Sequence, residues 1–349
     1  MQVKLSDLCN ITMGQSPKSI YYNKEGFGIP FMQGCTTFGR LFPSIDTWTT
    51  SYNKLANPND ILFTVRAPVG DINIALTNIA IGRGLAALKP TSVSTKYLYY
   101  LLLSNRELFT NNSSGTVYDS INKYTLENTI LNIHSYNDQL LIVDIIGSLD
   151  DKIENNNKII EKIDKLGLSK YKKLKNDFID FNDFANFEKG KEASSQNYMS
   201  EKNNENINFI RVKDLNSLTD TYISKTLDIP VAKPNDVLIS FDGAIGRINY
   251  GLMGAYSSGI YKVIPKFTND YGILYWSLKD NTNQQIMLEH TNGTTILHGS
   301  KSIKYLKIKK HLQDDIDYFN KIFDYSLNIK SENIKLCELK KLYLKKFFG

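Results

Sequence analysis

Apolar residues recur at alternating spacings close to three and four over residues 138–174, a segment that contains no proline. A 3.6-residue periodicity sustained over so many turns predicts one long helix. About 37 residues in a helix correspond to roughly 55 Å at 1.5 Å per residue. The apolar positions of this stripe include Ile146, Leu149, Ile153, Ile160 and Ile163.

A second helix of the same kind is predicted near the end of the chain, where residues 329–342 align with 153–166 without a gap. Its apolar stripe carries Ile322, Tyr325, Ile329, Leu336, Leu339 and Leu342. Two such stripes flanked by Lys and Glu predict that the helices pack on each other as an antiparallel coiled coil. The predicted core positions are Ile146, Leu149, Ile153, Ile160, Ile163, Ile322, Ile329, Leu336 and Leu339.

The segments between the helices repeat as well. Ala-Asn-Pro-Asn-Asp-Ile-Leu at 56–62 recurs as Ala-Lys-Pro-Asn-Asp-Val-Leu at 232–238, and residues 67–73 match 243–249 at the same offset of 176. Several collinear matches at one offset indicate a tandem duplication. Runs rich in β-branched residues alternate with short helical patterns, so we predict an α+β fold with two tandem, pseudo-symmetric mixed α/β domains.

Four segments follow from this organisation. We expect a first globular domain at 1–136, a helical spacer at 137–176, a second globular domain at 177–311 and a second spacer at 312–349. A pseudo-two-fold relation between the halves would present two similar but diverged surfaces to one partner. Duplex DNA, read by related modules on two half-sites, is such a partner.

Composition and charge exclude only a few classes of protein. The 349 residues carry 42 Lys and Arg against 36 Asp and Glu, a formal charge of +6, with 42% hydrophobic residues. These values exclude a disordered, collagen-like or disulfide-rich chain and permit an anionic partner. Three widely spaced cysteines favour a reducing compartment, and from the sequence pattern we expect neither a signal peptide nor a membrane-spanning segment. We therefore expect a soluble, cytoplasmic protein.

Catalytic and metal-binding motifs are not found. Gly299-Ser300-Lys301-Ser302 lacks the spacing of a phosphate-binding loop. Asn57-Pro58 is followed by another asparagine, so the tetrapeptide with which amino-methyltransferases hold a flipped base is missing. The four histidines have no metal-ligand spacing. We expect no catalytic residue, no metal and no cofactor in this chain.

The twofold arrangement resembles the specificity subunit of type I restriction-modification systems: two target-recognition domains, each followed by a helical spacer. The second half lacks the Gly-x-Ser-Pro of the first and has Gly-Lys-Glu-Ala at 190–193 instead. The resemblance covers nearly the whole chain. The segments that carry it are 5–17, 60–70, 140–174, 236–246 and 336–348.

The resemblance implies a non-catalytic subunit that binds a bipartite, asymmetric site in double-stranded DNA. It implies two methyltransferase (modification) subunits as partners, placed for adenine methylation, and restriction (motor-nuclease) subunits for cleavage in host defence. S-adenosylmethionine, ATP and Mg are then expected in those partners. Two alternatives stay open: a recognition subunit of a type IIB or IIG-like restriction enzyme, and a coiled-coil scaffold that binds no DNA.

Candidate DNA contacts are chosen by residue type, because phosphates are bound by Lys, Arg, hydroxyls and amides, and base edges by Arg, Asn and Gln. In the first domain we predict Gln15, Ser16, Lys18, Tyr21, Tyr22, Arg40, Arg66, Arg83, Ser113, Ser114, Thr116 and Tyr118. In the second domain we predict Lys189, Lys191, Arg211, Lys213, Arg247, Ser257, Ser258, Thr294, Thr295, His298 and Lys301.

Overall fold

The computed structural model describes residues 1–111, 120–216, 221–267, 270–291 and 298–349. The chain divides into two compact units. Unit 1 comprises Met1–Lys152 together with Cys337–Gly349, and unit 2 comprises Ile153–Leu336.

Unit 1 contains eleven strands among its described residues. They are β1 (Gln2–Lys4), β2 (Cys9–Met13), β3 (Tyr22–Asn23), β4 (Ile29–Met32), β5 (Trp48–Thr49), β6 (Leu55–Ala56), β7 (Ile61–Thr64), β8 (Ile72–Ile74), β9 (Ile79–Ile81), β10 (Leu85–Pro90) and β11 (Ile130–Asn132). The sheets have the orders β1-β11, β2-β10-β7-β8 and β3-β5-β4-β9-β6. Among the described strands of this unit, β4 and β9 pair in parallel and the other pairs are antiparallel.

In the described part of unit 1, four short helices accompany the strands, and a long helix follows. The first turn of the second helix is capped by Ser94, whose Oγ accepts a hydrogen bond from Tyr97 N at 3.2 Å. The helices are α1 (Leu5–Leu8), α2 (Thr95–Ser104), α3 (Arg106–Asn111), α4 (Lys123–Glu127) and the long α5 (Tyr136–Lys172).

Unit 2 repeats this plan. Its strands are β12 (Phe178–Asp180), β13 (Ala185–Lys189), β14 (Asn206–Ile210), β15 (Tyr222–Ser224), β16 (Val231–Ala232), β17 (Val237–Ser240), β18 (Ile248–Asn249), β19 (Gly254–Tyr256), β20 (Ile260–Pro265) and β21 (Lys307–Lys309). Its helices are α6 (Tyr271–Lys279), α7 (Asn281–Glu289) and the long α8 (Gln313–Phe348).

The sheets of unit 2 have the orders β12-β21, β13-β20-β17-β18 and β15-β14-β19-β16. The second of these matches β2-β10-β7-β8 strand for strand, and β14 and β19 form the one parallel pair among the described strands of this unit, as β4 and β9 do in unit 1. The repeat predicted from the sequence is therefore present in the strand order, within a mixed α+β fold.

The two long helices, of 37 and 36 residues, lie in the two segments predicted to be helical. Each helix contributes to the core of both units. In unit 1, Ile142 and Ile146 of α5 are buried, and Phe347 and Phe348 of α8 pack against the same core. In unit 2, Ile163 of α5 joins Phe319 and Phe323 of α8.

The predicted apolar stripe of α8 is wrong at its C-terminal end. Leu339 is 40% exposed, and its neighbour Lys340 is only 8% exposed. The inward position belongs to Lys340 because its ammonium group is bound to the buried carboxylate of Asp150. A lysine in that position turns the adjacent leucine toward solvent. Two other residues of the predicted stripe are also exposed, Tyr325 at 57% and Leu342 at 66%.

The other predicted core residues are at least partly covered. Ile146, Ile153, Ile163 and Ile329 are buried. Partial burial is found for Leu149, Ile160, Ile322 and Leu336. Within the described part of the chain, no helix has the length and apolar character that a bilayer crossing requires.

Candidate nucleic-acid interface

A tight turn joins β7 to β8 in unit 1 and β17 to β18 in unit 2. Thr64 Oγ1 donates to Pro68 O at 2.6 Å and accepts from Asp71 N at 2.8 Å. Ser240 is the equivalent of Thr64 at the repeat offset, and its Oγ accepts from Arg247 N at 3.1 Å. Both turns therefore fix the residues after the central strand in one local geometry.

The loop after β2 defines the start of a polar edge in unit 1. Gly14 is required there, because a Cβ atom at this position would overlap the carbonyl oxygen of Gly82. Beyond it, Ser16 Oγ donates to Gln33 Oε1 at 2.7 Å and accepts from Arg83 N at 3.1 Å. Three chain segments thus meet at Ser16.

Arg66 extends this edge. It lines a groove of about 190 Å³ together with Gln33, Cys35 and Gly84. Arg66 also forms an isolated β-bridge with Ser120. We call the residues Gln15, Ser16, Gln33, Arg66 and Arg83 the unit 1 edge.

The loop after β13 occupies the equivalent place in unit 2. A Cβ atom at Gly190 would overlap the carbonyl oxygens of Tyr256 and Ser257, as one at Gly14 would overlap that of Gly82. Lys191 N donates to Tyr256 O at 3.2 Å. Its Nζ bonds Asp228 at 2.5 Å, and this hydrogen bond lowers the pKa of the Asp228 carboxyl.

Glu192 is the equivalent of Ser16 at the repeat offset and accepts from Ser258 Oγ at 3.2 Å. It also accepts from Tyr198 OH at 3.0 Å, and Glu192 raises the pKa of Tyr198 in addition to the effect of burial. The pairs Ser16–Arg83 and Glu192–Ser258 are thus equivalent contacts built from different chemical groups.

Arg211 follows β14 as Gln33 follows β4. Its Nη2 donates to Thr221 Oγ1 at 2.6 Å, and its Nε donates to Asp214 Oδ2 at 3.4 Å. The guanidinium lies 5.5 Å from the centroid of the Tyr198 ring. It is therefore held in place from three directions.

Asp242 is the equivalent of Arg66 and forms an isolated bridge with His298. The Nδ1 atom of His298 lies 2.8 Å from Asp242 Oδ1. The unit 2 edge is defined by Lys191, Glu192, Arg211, Asp242, Ser258 and His298.

The two edges share one backbone frame and differ in side chains. The unit 1 edge carries two arginines, two glutamines and a serine, whereas the unit 2 edge carries two carboxylates among its basic groups. Arginine pairs with guanine, glutamine with adenine, and a carboxylate accepts from cytosine N4. The two edges therefore present different hydrogen-bonding groups at equivalent positions.

Two predicted DNA contacts are wrong. Arg40 donates from Nη2 to the buried Asp150 of the same unit and is committed to that ion pair. Ser257 is only 4% exposed, because its backbone N is bonded to Ile210 O at 2.9 Å. Neither side chain is available to a phosphate or a base.

Other predicted contacts lie outside the two edges as defined. Tyr22 OH donates to Pro17 O at 3.0 Å. Arg247 Nη1 donates to Val212 O at 3.4 Å, and Lys189 Nζ lies 5.7 Å from the Tyr261 ring centroid. Exposed or half-buried positions are held by Lys18, Tyr21, Lys213 and Lys301. The predicted contacts Ser113, Ser114, Thr116, Tyr118, Thr294 and Thr295 lie outside the described residues.

Gln33, Glu192 and Asp242 belong to the edges but were not predicted from the sequence. Residue type favoured basic groups and hydroxyls, since these bind phosphates, and a carboxylate beside DNA is disfavoured unless it contacts a base. The available signal was position: Glu192 and Asp242 are the repeat equivalents of Ser16 and Arg66, both of which were selected. Among the described residues, no cluster of His, Cys, Asp and Glu is arranged to hold a metal ion.

Part of the chain is similar in sequence to known proteins. Residues 1–165 match the family model of the type I restriction modification DNA specificity domain. The putative type I restriction enzyme MjaX specificity subunit of Methanocaldococcus jannaschii is 39% identical over 157 residues, which are 44% of this chain and 37% of that protein. The MjaIX specificity subunit of the same organism is 33% identical over 131 residues, 37% of this chain and 30% of that protein.

The matched segments thus span about a third of the length of each curated relative. A crystal structure of the type I restriction-modification system S subunit from M. genitalium superposes with a TM-score of 0.56 at 18% identity. It covers 100% of this chain and 96% of that one, a likeness of fold. Residues 1–165 are therefore similar to a DNA specificity domain of the type I kind. The resemblance to type I specificity subunits is confirmed.

Proposed function

We propose that this chain is the DNA sequence-specificity subunit of a type I restriction-modification complex and that it is not itself catalytic. Its target is a bipartite, asymmetric site in double-stranded DNA. The unit 1 edge reads one half-site and the unit 2 edge reads the other. The chain places methyltransferase subunits over an adenine in each half, where the base is flipped for reaction.

One observation carries this proposal: two edges with the same backbone frame present different side chains at equivalent positions. Ser16 and Glu192 both bond the loop that follows a parallel strand, through Arg83 N and Ser258 Oγ. A protein that only joined other proteins would not require such matched, chemically diverged edges. Two half-sites of different sequence do require them.

The proposed organisation has four parts: recognition domains at 1–136 and 177–311, and helical spacers at 137–176 and 312–349. We propose that α5 and α8 form an antiparallel coiled coil. In unit 1, Asp150 of α5 bonds Lys340 of α8 at 2.7 Å. In unit 2, Asn156 bonds Glu332 at 2.8 Å and Lys170 pairs with Asp315 at 3.3 Å. The numbering falls on one helix as it rises on the other, which supports the antiparallel arrangement.

The proposed partners are two modification subunits and, for cleavage, the restriction subunits. The methyl donor S-adenosylmethionine, ATP and Mg belong to those partners. The residues of this chain supply recognition alone: they orient the complex on DNA, and the side chains of the two edges select the sequence.

The proposal is tested with the full chain assembled with its modification subunit. Binding to duplexes carrying the cognate bipartite site is measured against duplexes with one half-site scrambled. We expect each scrambled half to weaken binding, and the logarithm of the affinity to fall linearly with the logarithm of salt concentration. Equal affinity for all duplexes would contradict the proposal and favour a scaffold. Methyl transfer or cleavage by this chain alone would favour the type IIB or IIG-like alternative.

A further inference from the structure

The seam between α5 and α8 contains polar and charged residues where a coiled coil normally has apolar ones. Asp150 is 1% exposed, Asn156 is 2% exposed and Lys340 is 8% exposed. Buried polar residues at such positions are known to fix which helices pair and in what register. Their identities therefore carry information about the permitted partner of each helix.

The first such position is the Asp150–Lys340 ion pair of unit 1. Lys340 Nζ donates to both carboxylate oxygens of Asp150, at 2.9 and 2.7 Å. Tyr100 OH donates to the same carboxylate at 2.8 Å, and Arg40 pairs with it as well. Burial lowers the pKa of Lys340, and Asp150 opposes this effect.

The repeat offset of 176 assigns an equivalent to each member of this pair. The equivalent of Asp150 is Ser326, and the equivalent of Lys340 is Asp164. In unit 2 these two positions form no ion pair with each other: Ser326 accepts from Tyr250 OH at 2.7 Å, and Asp164 pairs with Lys279 at 2.8 Å. The Asp150–Lys340 ion pair of unit 1 therefore has no counterpart at the equivalent positions of unit 2.

The second position lies in unit 2, where equivalent residues meet each other. Asn156 Nδ2 donates to Glu332 Oε2 at 2.8 Å, and Asn333 Nδ2 donates to Asn157 Oδ1 at 2.9 Å. Both contacts join residues that are related by the repeat offset. Contact between equivalent residues is what a two-fold relation between the two helices produces.

These contacts define what would happen if a helix met a copy of itself in the same register. Two copies of α5 would bring Asp150 against Asp164. Two copies of α8 would bring Glu332 against Glu332 and Lys340 against Ser326. Each arrangement places like charges together or leaves a buried ammonium without a carboxylate, and both are costly.

We propose that Asp150, Lys340 and the Asn156–Glu332 contact form a pairing code, in which α5 accepts α8 of the same chain and rejects a second copy of α5. The specified partner of the first half is the second half, so that two different recognition edges belong to every molecule. This proposal concerns the pairing of the helices and does not depend on whether the chain binds DNA.

The test uses the full chain with Arg40→Met as the parent, because Arg40 also pairs with Asp150 and would repel a lysine at that position. Variants of this parent carry Asp150→Lys, Lys340→Asp, or both changes, and hydrogen exchange of residues 337–349 is the readout. Each single reversal places like charges together, and we expect exchange of this segment to accelerate on the order of 100-fold to 1,000-fold. The variant with both changes restores opposite charges and should return to within about tenfold of the parent. Asp151→Lys is the matched control, because Asp151 is exposed and pairs with Lys96 at the surface.

Mixing the two single variants tests the choice of partner directly. Each chain supplies the charge that the other lacks, so an equimolar mixture should form a species of twice the mass, measured by light scattering, in which residues 337–349 regain protection. Neither single variant should form this two-chain species on its own. Wild-type protection in either single variant would overturn the proposal, as would failure of the double variant to regain protection or of the mixture to form the two-chain species.

Discussion

The Nζ atom of Lys330 lies 3.6 Å from the centroid of the Tyr250 ring and donates to Tyr250 O at 3.0 Å. It also donates to Asn249 Oδ1 at 2.6 Å, and Asn249 Nδ2 donates to Leu215 O at 2.6 Å. The lysine of α8 is thus joined through one asparagine to the segment that follows Arg211. Within unit 2, these bonds connect α8 to the segment that follows Arg211 of the unit 2 edge.

The same lysine makes the stability of the protein depend on pH. Burial lowers the pKa of Lys330 from 10.5 to about 7; Asp164 opposes this shift and Lys279 adds to it. Between pH 7 and 10.5 the unfolded chain binds more protons at this site than the folded chain, so its contribution to stability rises with pH.

Lys330→Met removes this dependence. We expect the free energy of unfolding of the wild type minus that of the variant to increase between pH 7 and 9, by up to about 1.4 kcal/mol per pH unit. Urea unfolding of both proteins across this range measures it, and comparison with the variant cancels other titrating groups. A difference independent of pH would show that Lys330 is not held in a desolvated site.

Glycines at the start of both edges are predicted to be irreplaceable. In Gly14→Ala and Gly190→Ala the new Cβ would overlap backbone carbonyl oxygens, which cannot move without distorting a strand. We expect each change to destabilise its unit by roughly 1–3 kcal/mol, the usual cost of overpacking. Gly34→Ala is the control, because a Cβ there meets nothing within 4 Å. Thermal melts that rank all three variants alike would refute the close-approach argument.

Arg66 is predicted to contact DNA. Arg66→Ala should weaken binding and reduce the slope of log affinity against log salt concentration by about 0.9, the release of one counterion. Titrations of the complex from low to moderate salt measure this slope. Lys123→Ala serves as the control, since Lys123 pairs with Glu127 at the surface of α4. An unchanged slope in the Arg66 variant would remove this residue from the interface.

Much of the fold follows from the repeat. The Pro-Asn-Asp turns predicted to match do match: Asp60 Oδ2 accepts from Asn57 N and Asp236 Oδ2 accepts from Lys233 N, both at 2.8 Å. Such turns depend on local residues alone, so the sequence is sufficient to locate them. The long helices were predictable for the same reason, since their periodicity is local.

The errors arose where a long-range polar contact decides orientation. Arg40 and Lys340 are basic residues of the kind that faces solvent or DNA, yet both turn inward to Asp150, which is distant from each of them in sequence. Periodicity assigns inward positions to apolar residues, so it predicted Leu339 as a core residue in place of Lys340. The candidate site was predicted in part: the repeat located the duplicated loops, but it did not predict the hydrogen-bond and ion-pair partners of their side chains.

The central claim is that one chain reads two different half-sites through two matched edges. It is tested most directly by sequencing all methylated adenines in the DNA of cells that carry this chain and its modification subunit. We predict one asymmetric bipartite motif with a methylated adenine in each half, and Arg211→Gln should alter the bases required in one half only. Methylation without a bipartite motif, or a change in both halves from that single substitution, would contradict the account.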